Sequence, residues 1–385
     1  MEIQKYLEEM KLMQNNLLSF LENDGDVSDA YQNFITICDE SDVHHHKHKI
    51  KSILYLISKI SNNHHRTHNF FNKIGQIIQH LHHRIKHYFT DQEIFNVFKS
   101  NKRVLLLLFE EKIITVDENI KYVMVNGIYK TANYDYYFFP ELQPFLDENF
   151  IKEVTETLPD DFEEKRKIGE NDDYICEIIR NDFIHEFVDQ VKKSKIHLNS
   201  FVKPSIYETN NFLIKNQTTL IEYAAFFGSI QIFKYLYQHL THPRTTKKIP
   251  LKSPLWLFTI HGQNADMIYF LRENHFKLKP KNFYAFLKES IKCHHNEIAN
   301  YVMDNFIDKN DDHIDTFSFG LQYYNFYFIR NDFLNGSVFY NLCAYDYYPI
   351  VHALLETNDL VTKRRQSVSR GLFVYKKKIF YEISK

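Results

Sequence analysis

Glycine and proline are scarce in this chain, since each supplies only 9 of its 385 residues. The two closest glycines, Gly320 and Gly336, are 16 positions apart. Glycine-rich phosphate loops and the nucleophile elbow of α/β-hydrolases need two glycines within a few residues of each other. The sequence therefore excludes these motifs. The shortage of turn-forming residues also disfavours β-sandwiches, which need many tight turns.

Cysteine is also sparse and forms no metal or redox motif. The four cysteines, Cys38, Cys176, Cys293 and Cys343, include no CxxC pair. A disulfide framework is not expected at this chain length, so we expect a reducing compartment. The sequence predicts no catalytic residue and no cofactor.

Long apolar runs are missing as well. The longest, Val104 to Phe109, has six residues, whereas a membrane-spanning helix needs about 20. The opening residues MEIQKYLEEM do not have the composition of a signal peptide. With a formal net charge of −2, the chain is expected to be soluble and cytoplasmic, with no membrane span.

Helical periodicity is abundant. Apolar residues recur every three or four positions through residues 3–21 and 50–85, and Thr90 with Glu93 has the spacing of a capping box. Pro140, Pro144 and Gly169 indicate an irregular acidic connection over residues 126–173. The predicted organisation has four parts: an N-terminal helical region 1–90, a degenerate unit and connection 91–170, a repeat domain 171–360 and a basic tail 361–385.

An internal repeat occupies the second half of the chain. The segment TLIEYAAFFGSIQIFKYL (219–236) matches the ankyrin pattern TPLHxAAxxGHxxVVxLL, and PLWLFTIHGQNADMIYFL (254–271) repeats it. Predicted turn positions are 228, 262, 294 and 346, and the long last interval predicts an insertion at Phe317–Phe333. Residues 94–109 and 174–191 fit the template as degenerate copies.

These segments resemble the degenerate ankyrin-repeat proteins, with an ankyrin-like domain of unknown function, that form large families in parasitic flagellates. The resemblance implies an all-α fold, an α-solenoid of stacked ankyrin-like hairpins, and an interaction scaffold without catalytic residues. We therefore expect a non-enzymatic protein that binds a protein partner through exposed side chains of the repeats. The candidate partner-binding residues are Glu222, Trp256, His261, Lys288, His294 and His295. For Trp256, packing between the inner helices is the favoured interpretation.

A window of residues 44–87 contains 11 of the 21 histidines and eight lysines or arginines, without any acidic residue. The favoured interpretation of this window is a solvated helix face, because His80, His83 and His87 lie opposite the apolar stripe of their helix. Their spacing alternatively suits a metal ion, as does that of His44 and His48. A histidine-dependent metal-binding protein or enzyme, such as a nuclease, is therefore a competing function for His80, His83 and His87. The lysines and arginines suit an anion or nucleic acid, which is a less favoured partner. A pH-sensitive surface is the fourth interpretation.

The last 25 residues carry eight basic side chains and one acidic one. Lys363–Arg365 and Lys376–Lys378 have the spacing of a bipartite nuclear import signal, so a nuclear location is the alternative to a cytoplasmic one.

Overall fold

Apolar residues at helical spacing determine the architecture, which is α-helical in the parts of the chain that the structure describes. The structure is a computed structural model and describes residues 2–23, 28–39, 46–67, 69–241, 255–274, 282–307, 316–331, 334 and 338–356. Within these ranges there is no strand, and an isolated antiparallel bridge joins Phe201 to Thr219. The predicted all-α class is confirmed.

The chain divides into two units. The first consists of the described residues of Met1–Ile60, Arg66–His80 and Ala299–Lys385, and the second of those of Ser61–His65 and Leu81–Ile298. Residue 170, where the composition predicted a boundary, lies within the second unit. The basic tail 361–385 lies outside the described residues.

The six N-terminal helices follow the predicted apolar faces. They are α1 (Glu2–Glu22), α2 (Ser28–Asp39), α3 (His46–Asn63), α4 (Phe70–Tyr88), α5 (Asp91–Phe98) and α6 (Lys102–Glu110). The predicted capping box is present at α5: the Thr90 hydroxyl accepts from Glu93 N, and Thr90 N donates to the Glu93 carboxylate. In α4, Ile74, Ile78 and Leu81 are buried as expected.

The expectation of an irregular connection over residues 126–173 is wrong, because short helices fill it. After α7 (Glu118–Val125), the helices in this segment are α8 (Ile128–Thr131), α9 (Tyr134–Tyr137), α10 (Phe139–Leu142), a 3₁₀ helix (Gln143–Phe145), α11 (Glu148–Thr157) and α12 (Phe162–Ile168). Pro140 occupies the first turn of α10, where a missing N–H costs nothing. Gly169 ends α12 in the left-handed conformation. Proline and glycine therefore mark helix ends.

Helical hairpins follow in the order that the repeats predicted. The helices are α13 (Tyr174–Arg180), α14 (Ile184–Lys193), α15 (Asn211–Lys215), α16 (Leu220–Phe227), α17 (Ile230–Thr241), α18 (Leu255–His261), α19 (Ala265–Glu273), α20 (Phe283–Lys292) and α21 (Asn296–Phe306). We call α13/α14, α16/α17 and α18/α19 the first to third hairpins, and α20 with the turn into α21 the fourth; α21 belongs to the first unit from Ala299 onward. In the second unit α13 packs on α16, α16 on α18, and α18 on α20.

Each hairpin turn contains one residue with positive φ: Asp182, Gly228, Gln263 and His294. The predicted turns at 228 and 294 are confirmed, whereas in the third hairpin the left-handed residue is Gln263 rather than Gly262. Gly262 is needed for another reason, because a Cβ there would overlap the carbonyl oxygen of Ala225. Ser253 and Pro254 of the repeated motif lie outside the described residues.

The last described helices belong to the first unit: α22 (Thr316–Tyr323), α23 (Phe339–Ala344) and α24 (Tyr348–Glu356). Asp346 forms the left-handed turn between α23 and α24, as predicted. The predicted insertion is represented by α22 and the turn that follows it, while Phe333 lies outside the described residues. The Tyr324 ring stacks on Tyr347 at 4.6 Å in this region.

No helix among the described residues has both the length and the apolarity that crossing a lipid bilayer requires.

Candidate functional site

The six predicted partner-binding residues differ widely in exposure. Trp256, His261, His294 and His295 are buried, with at most 4% of each residue exposed. The expected exposure is therefore wrong for these four. Trp256 and His261 lie on α18, which packs between α16 and α20, and His295 packs against the ring of His64. Glu222 and Lys288 are partly exposed to solvent.

Three residues of this set, Trp256, Glu222 and His294, have structural roles. Trp256 stacks on Phe286 of α20 with ring centroids 5.8 Å apart, which confirms its predicted packing between inner helices. Glu222 caps its own helix, because Thr219 N and Thr219 Oγ1 donate to its carboxylate at 2.9 and 2.7 Å. His294 is the left-handed turn residue of the fourth hairpin.

Hydrogen bonds link successive hairpins, and their donors occupy equivalent positions. The donor is the residue directly after the left-handed residue of a turn. The acceptor is a carbonyl of the preceding hairpin: Ile179 and Ile260 lie three residues before the left-handed residue, whereas Gly228 is itself the left-handed residue. Ser229 Oγ donates to Ile179 O at 2.5 Å, Asn264 Nδ2 to Gly228 O at 3.0 Å, and His295 Nδ1 to Ile260 O at 2.8 Å. We call these three contacts the inter-hairpin bonds. They occur at all three junctions of the four hairpins.

The burial of His295 favours its neutral form. Burial lowers the pKa of the ring well below its usual value, and the neighbouring His64 and His65 add to this effect. The His64 ring lies edge-on at 4.9 Å, and His64 Nδ1 lies 2.8 Å from Cys293 O.

A buried polar cluster lies between α18 and α20. His261 Nε2 is 2.8 Å from Glu289 Oε1, and Cys293 Sγ is 3.5 Å from His261 Nδ1. Lys292 Nζ lies 2.7 Å from the same Glu289 oxygen. His261, Glu289 and Cys293 form the one group within the described residues whose donor atoms are arranged to hold a metal ion. We call these three residues the α18–α20 cluster.

The protonation states follow from burial and pairing. Burial lowers the pKa of His261 below its usual value, and the hydrogen bond to Glu289 opposes this only in part. For Glu289, burial raises the pKa, but His261 and Lys292 outweigh it and the pKa falls to about 2. Nε2 of His261 faces the Glu289 carboxylate, and the ring also forms a hydrogen bond with the backbone of Asn63, which opposes the effect of burial as well.

The connectivity Cys–His–carboxylate is that of a catalytic triad, but the surroundings do not activate the nucleophile. Cys293 is fully buried, and burial raises the pKa of its thiol well above the usual value. It also caps the C-terminal end of α20, where the helix dipole disfavours an anion. In this conformation the thiol is protonated and shielded from substrate.

Sequence reasoning missed this cluster, although one signal was present. Glu289 and Cys293 are four residues apart on a predicted helix, which places them on the same face. His261 comes from a different hairpin, 28 residues before Glu289, so only the stacking of hairpins reveals it.

A pocket of about 500 Å³ opens elsewhere in the second unit. Its walls include Lys102, Glu208, Tyr223 and the segment around Lys203. Burial lowers the pKa of Lys102 to about 7, opposed by Glu208 and Asp135. Its ammonium nitrogen lies 3.3 Å from Ile206 O and 3.4 Å from Glu208 O, so it lines the wall as a donor to the backbone.

The histidine-rich window is described from residue 46 to 67 and from 69 onward. His83 and His87 are exposed on α4, and His80 Nε2 lies 3.1 Å from Asp39 Oδ1. The predicted orientation of this face away from the core is confirmed. Their proposed role as metal ligands stays a prediction, and His44 lies outside the described residues.

Several cations of this window are paired within the first unit. Lys49 Nζ lies 3.0 Å from Glu9 Oε2, and Lys51 Nζ lies 2.9 Å from Asp346 Oδ2. Lys73 donates to the carbonyl of Asn23 at 2.6 Å. These pairs reduce the positive charge available to a phosphate backbone.

Comparison with known proteins gives no family. No family model, no curated protein and no solved structure matches the chain.

Proposed function

We propose that this chain is a degenerate ankyrin-type repeat protein whose stacked hairpins bind a protein partner without catalysis. The observation that carries the proposal is the set of inter-hairpin bonds, whose donors recur at the same position in the turns of the second, third and fourth hairpins. Such a repeating contact fixes the spacing and direction of successive hairpins. A stack of this kind offers one extended surface, because each unit contacts only its neighbours.

Aromatic side chains on the hairpins supply suitable binding groups. Tyr174, Phe183 and Tyr269 are each more than half exposed in the second unit. Exposed tyrosine and phenylalanine are enriched at protein–protein interfaces, where they bury much area at small entropic cost. Glu222 and Lys288 add charged groups on the first helices of the second and fourth hairpins. The cytoplasm, or the nucleus if the basic tail acts as an import signal, is the proposed location of the complex.

Site-specific crosslinking of the full-length chain tests this function. A photoreactive residue is placed at Glu222, Tyr269 or Lys288, and the protein is irradiated in cells of its source. Tyr122 on α7 serves as the matched control, because it is an exposed helical tyrosine outside the hairpins, 68% exposed against 62% for Tyr269.

We expect the same protein to be crosslinked from positions on at least two hairpins and not from Tyr122. Equal crosslinking from Tyr122, or crosslinks to nucleic acid that disappear at high salt, would contradict the proposal. The second result would instead support the basic window as the binding surface.

A further inference from the structure

The α18–α20 cluster combines three kinds of metal-binding atom in one buried place: a histidine nitrogen, a carboxylate oxygen and a cysteine sulfur. These atoms all lie within 4.8 Å of one another. They come from two successive hairpins, with His261 at the end of α18 and Glu289 and Cys293 at the end of α20. A ligand shared by the three residues would therefore join the third hairpin to the fourth.

The spacing of the donors is close to that of a tetrahedral zinc site. Zinc binds nitrogen and oxygen at about 2.0–2.2 Å and sulfur at about 2.3 Å, which separates neighbouring donors by about 3.3–3.7 Å. His261 Nε2 lies 2.8 Å from Glu289 Oε1 and 3.8 Å from Cys293 Sγ, so the observed distances bracket that range.

The chemistry of the donors selects the ion. A thiolate together with an imidazole favours Zn²⁺ over Mg²⁺ and Ca²⁺, which prefer oxygen ligands. Three protein donors leave one tetrahedral position for a non-protein ligand. We propose that His261, Glu289 and Cys293 bind one Zn²⁺ ion that holds α18 against α20.

The surroundings of the cluster are compatible with the ion. Lys292 contacts the Glu289 carboxylate at 2.7 Å and stays hydrogen-bonded to it as an outer partner of a metal ligand. Binding releases one proton, that of the Cys293 thiol, and leaves the imidazole proton of His261 on Nδ1. The ion, one thiolate and one carboxylate then sum to zero charge, and Lys292 adds a single positive charge. His261 and Cys293 are buried and Glu289 is largely so, and the donors come from two helices, so bound metal contributes to the stability of the fold.

The test uses the full-length chain purified without a histidine tag. The protein is loaded with Co²⁺ alone, because a cobalt–thiolate bond gives a charge-transfer absorption band that surface histidines cannot produce. Zn²⁺ alone is then titrated against the band to measure its affinity and stoichiometry. Cys293→Ser removes the sulfur ligand, and Glu289→Gln removes a ligand with little change of shape.

The matched control is Cys176→Ser, since Cys176 is a fully buried cysteine on the first helix of another hairpin. We expect the band in the wild type and in Cys176→Ser, its loss in Cys293→Ser, and a Zn²⁺ affinity at least about tenfold weaker in Glu289→Gln. We also expect one equivalent of Zn²⁺ to displace the cobalt and to raise the unfolding temperature of the wild type.

Absence of the band in the folded wild type would overturn the proposal and leave the cluster as a hydrogen-bonded network. Persistence of the band in Cys293→Ser would overturn it as well, since another cysteine would then hold the metal. If Cys293→Ser does not fold, Glu289→Gln and the wild-type spectrum still decide the question. None of these outcomes depends on the proposed protein partner.

Discussion

At the scale of single residues, close backbone contact rather than turn conformation explains one of the two repeat glycines. Gly228 has the positive φ expected of a turn glycine, and a Cβ atom added there would lie 2.9 Å from Gly262 O. Gly262 lacks a positive φ, but any Cβ there would overlap the backbone of the preceding hairpin. The sequence pattern finds both glycines, whereas the reason for the second depends on how hairpins approach each other.

Gly262→Ala is therefore expected to lower the free energy of unfolding by about 1–3 kcal/mol, because the added methyl group forces α16 and α18 apart. The measurement is chemical denaturation followed by circular dichroism. Gly127→Ala is the comparison for backbone strain alone: its φ is 64°, which strains an alanine, but a Cβ there meets nothing within 4 Å. A cost below about 0.5 kcal/mol for Gly262→Ala would show that the close contact does not limit the stability of the stack.

Lys102 leads to a prediction of pH dependence. Burial lowers its pKa to about 7 from the usual 10.5, so between these values the unfolded chain binds more protons than the folded one. Stability from this residue therefore rises with pH above 7, and the full cost of burying the charge remains below pH 7.

We expect the wild type to gain about 2 kcal/mol between pH 7 and pH 9 relative to Lys102→Met. The measurement is denaturant unfolding of both proteins at each pH, so that other titrating groups cancel in the difference. Parallel pH profiles for the two proteins would show that Lys102 titrates in the same range whether the chain is folded or unfolded.

At the scale of helices and hairpins, local sequence signals predicted most elements. Apolar spacing located α1 and α4, and Thr90 with Glu93 identified the start of α5, because these signals act within one helix. The same reasoning failed for residues 126–173, where proline and glycine end short helices that tertiary packing stabilises. Burial of Tyr134, Tyr137 and Phe138 supplies stability that a helix of four residues lacks by itself.

The candidate site depended even more on tertiary structure. The repeat pattern placed His261 and His295 correctly at hairpin turns but predicted them as exposed binding groups. Their actual roles require neighbours from another hairpin: Glu289 for His261 and the carbonyl of Ile260 for His295. The repeat pattern of one sequence does not show which side chains of different hairpins come into contact.

Asn264 allows an inter-hairpin bond to be separated from a helix cap. Its side-chain oxygen accepts from Met267 N at the start of α19, and its amide nitrogen donates to Gly228 O. Asn264→Asp keeps the acceptor and removes the donor, whereas Asn264→Ala removes both. We expect Asn264→Ala to cost about 2 kcal/mol and Asn264→Asp about half of that.

Thermal and denaturant unfolding of the two variants measure these costs. Asp147→Ala is the control for a cap alone, since Asp147 accepts from Phe150 N at the start of α11 and lies outside the hairpins. If Asn264→Asp has the same free energy of unfolding as the wild type, the hydrogen bond to Gly228 O contributes nothing to the packing of the second hairpin on the third.

At the scale of the whole molecule, the arrangement of the hairpins determines how far a local change spreads. In a repeat stack, each hairpin is stabilised by its two neighbours, so the loss of one contact weakens those neighbours most. In the second unit α16 packs on both α13 and α18, and α18 also packs on α20. The first unit is built on other contacts, such as those between α1 and α2.

Hydrogen exchange of the full chain can detect this pattern. We expect Gly262→Ala to speed amide exchange most in α16 and α18, less in α13 and α20, and not measurably in α1 and α2, because local opening follows the nearest contacts. Mass spectrometry of peptic fragments, compared with Gly127→Ala, gives the exchange of each helix. A uniform increase in both units would mean that the chain opens as one cooperative body. Exchange that decays from α16 and α18 would instead be the behaviour of a stack of hairpins, on which the proposed binding surface depends.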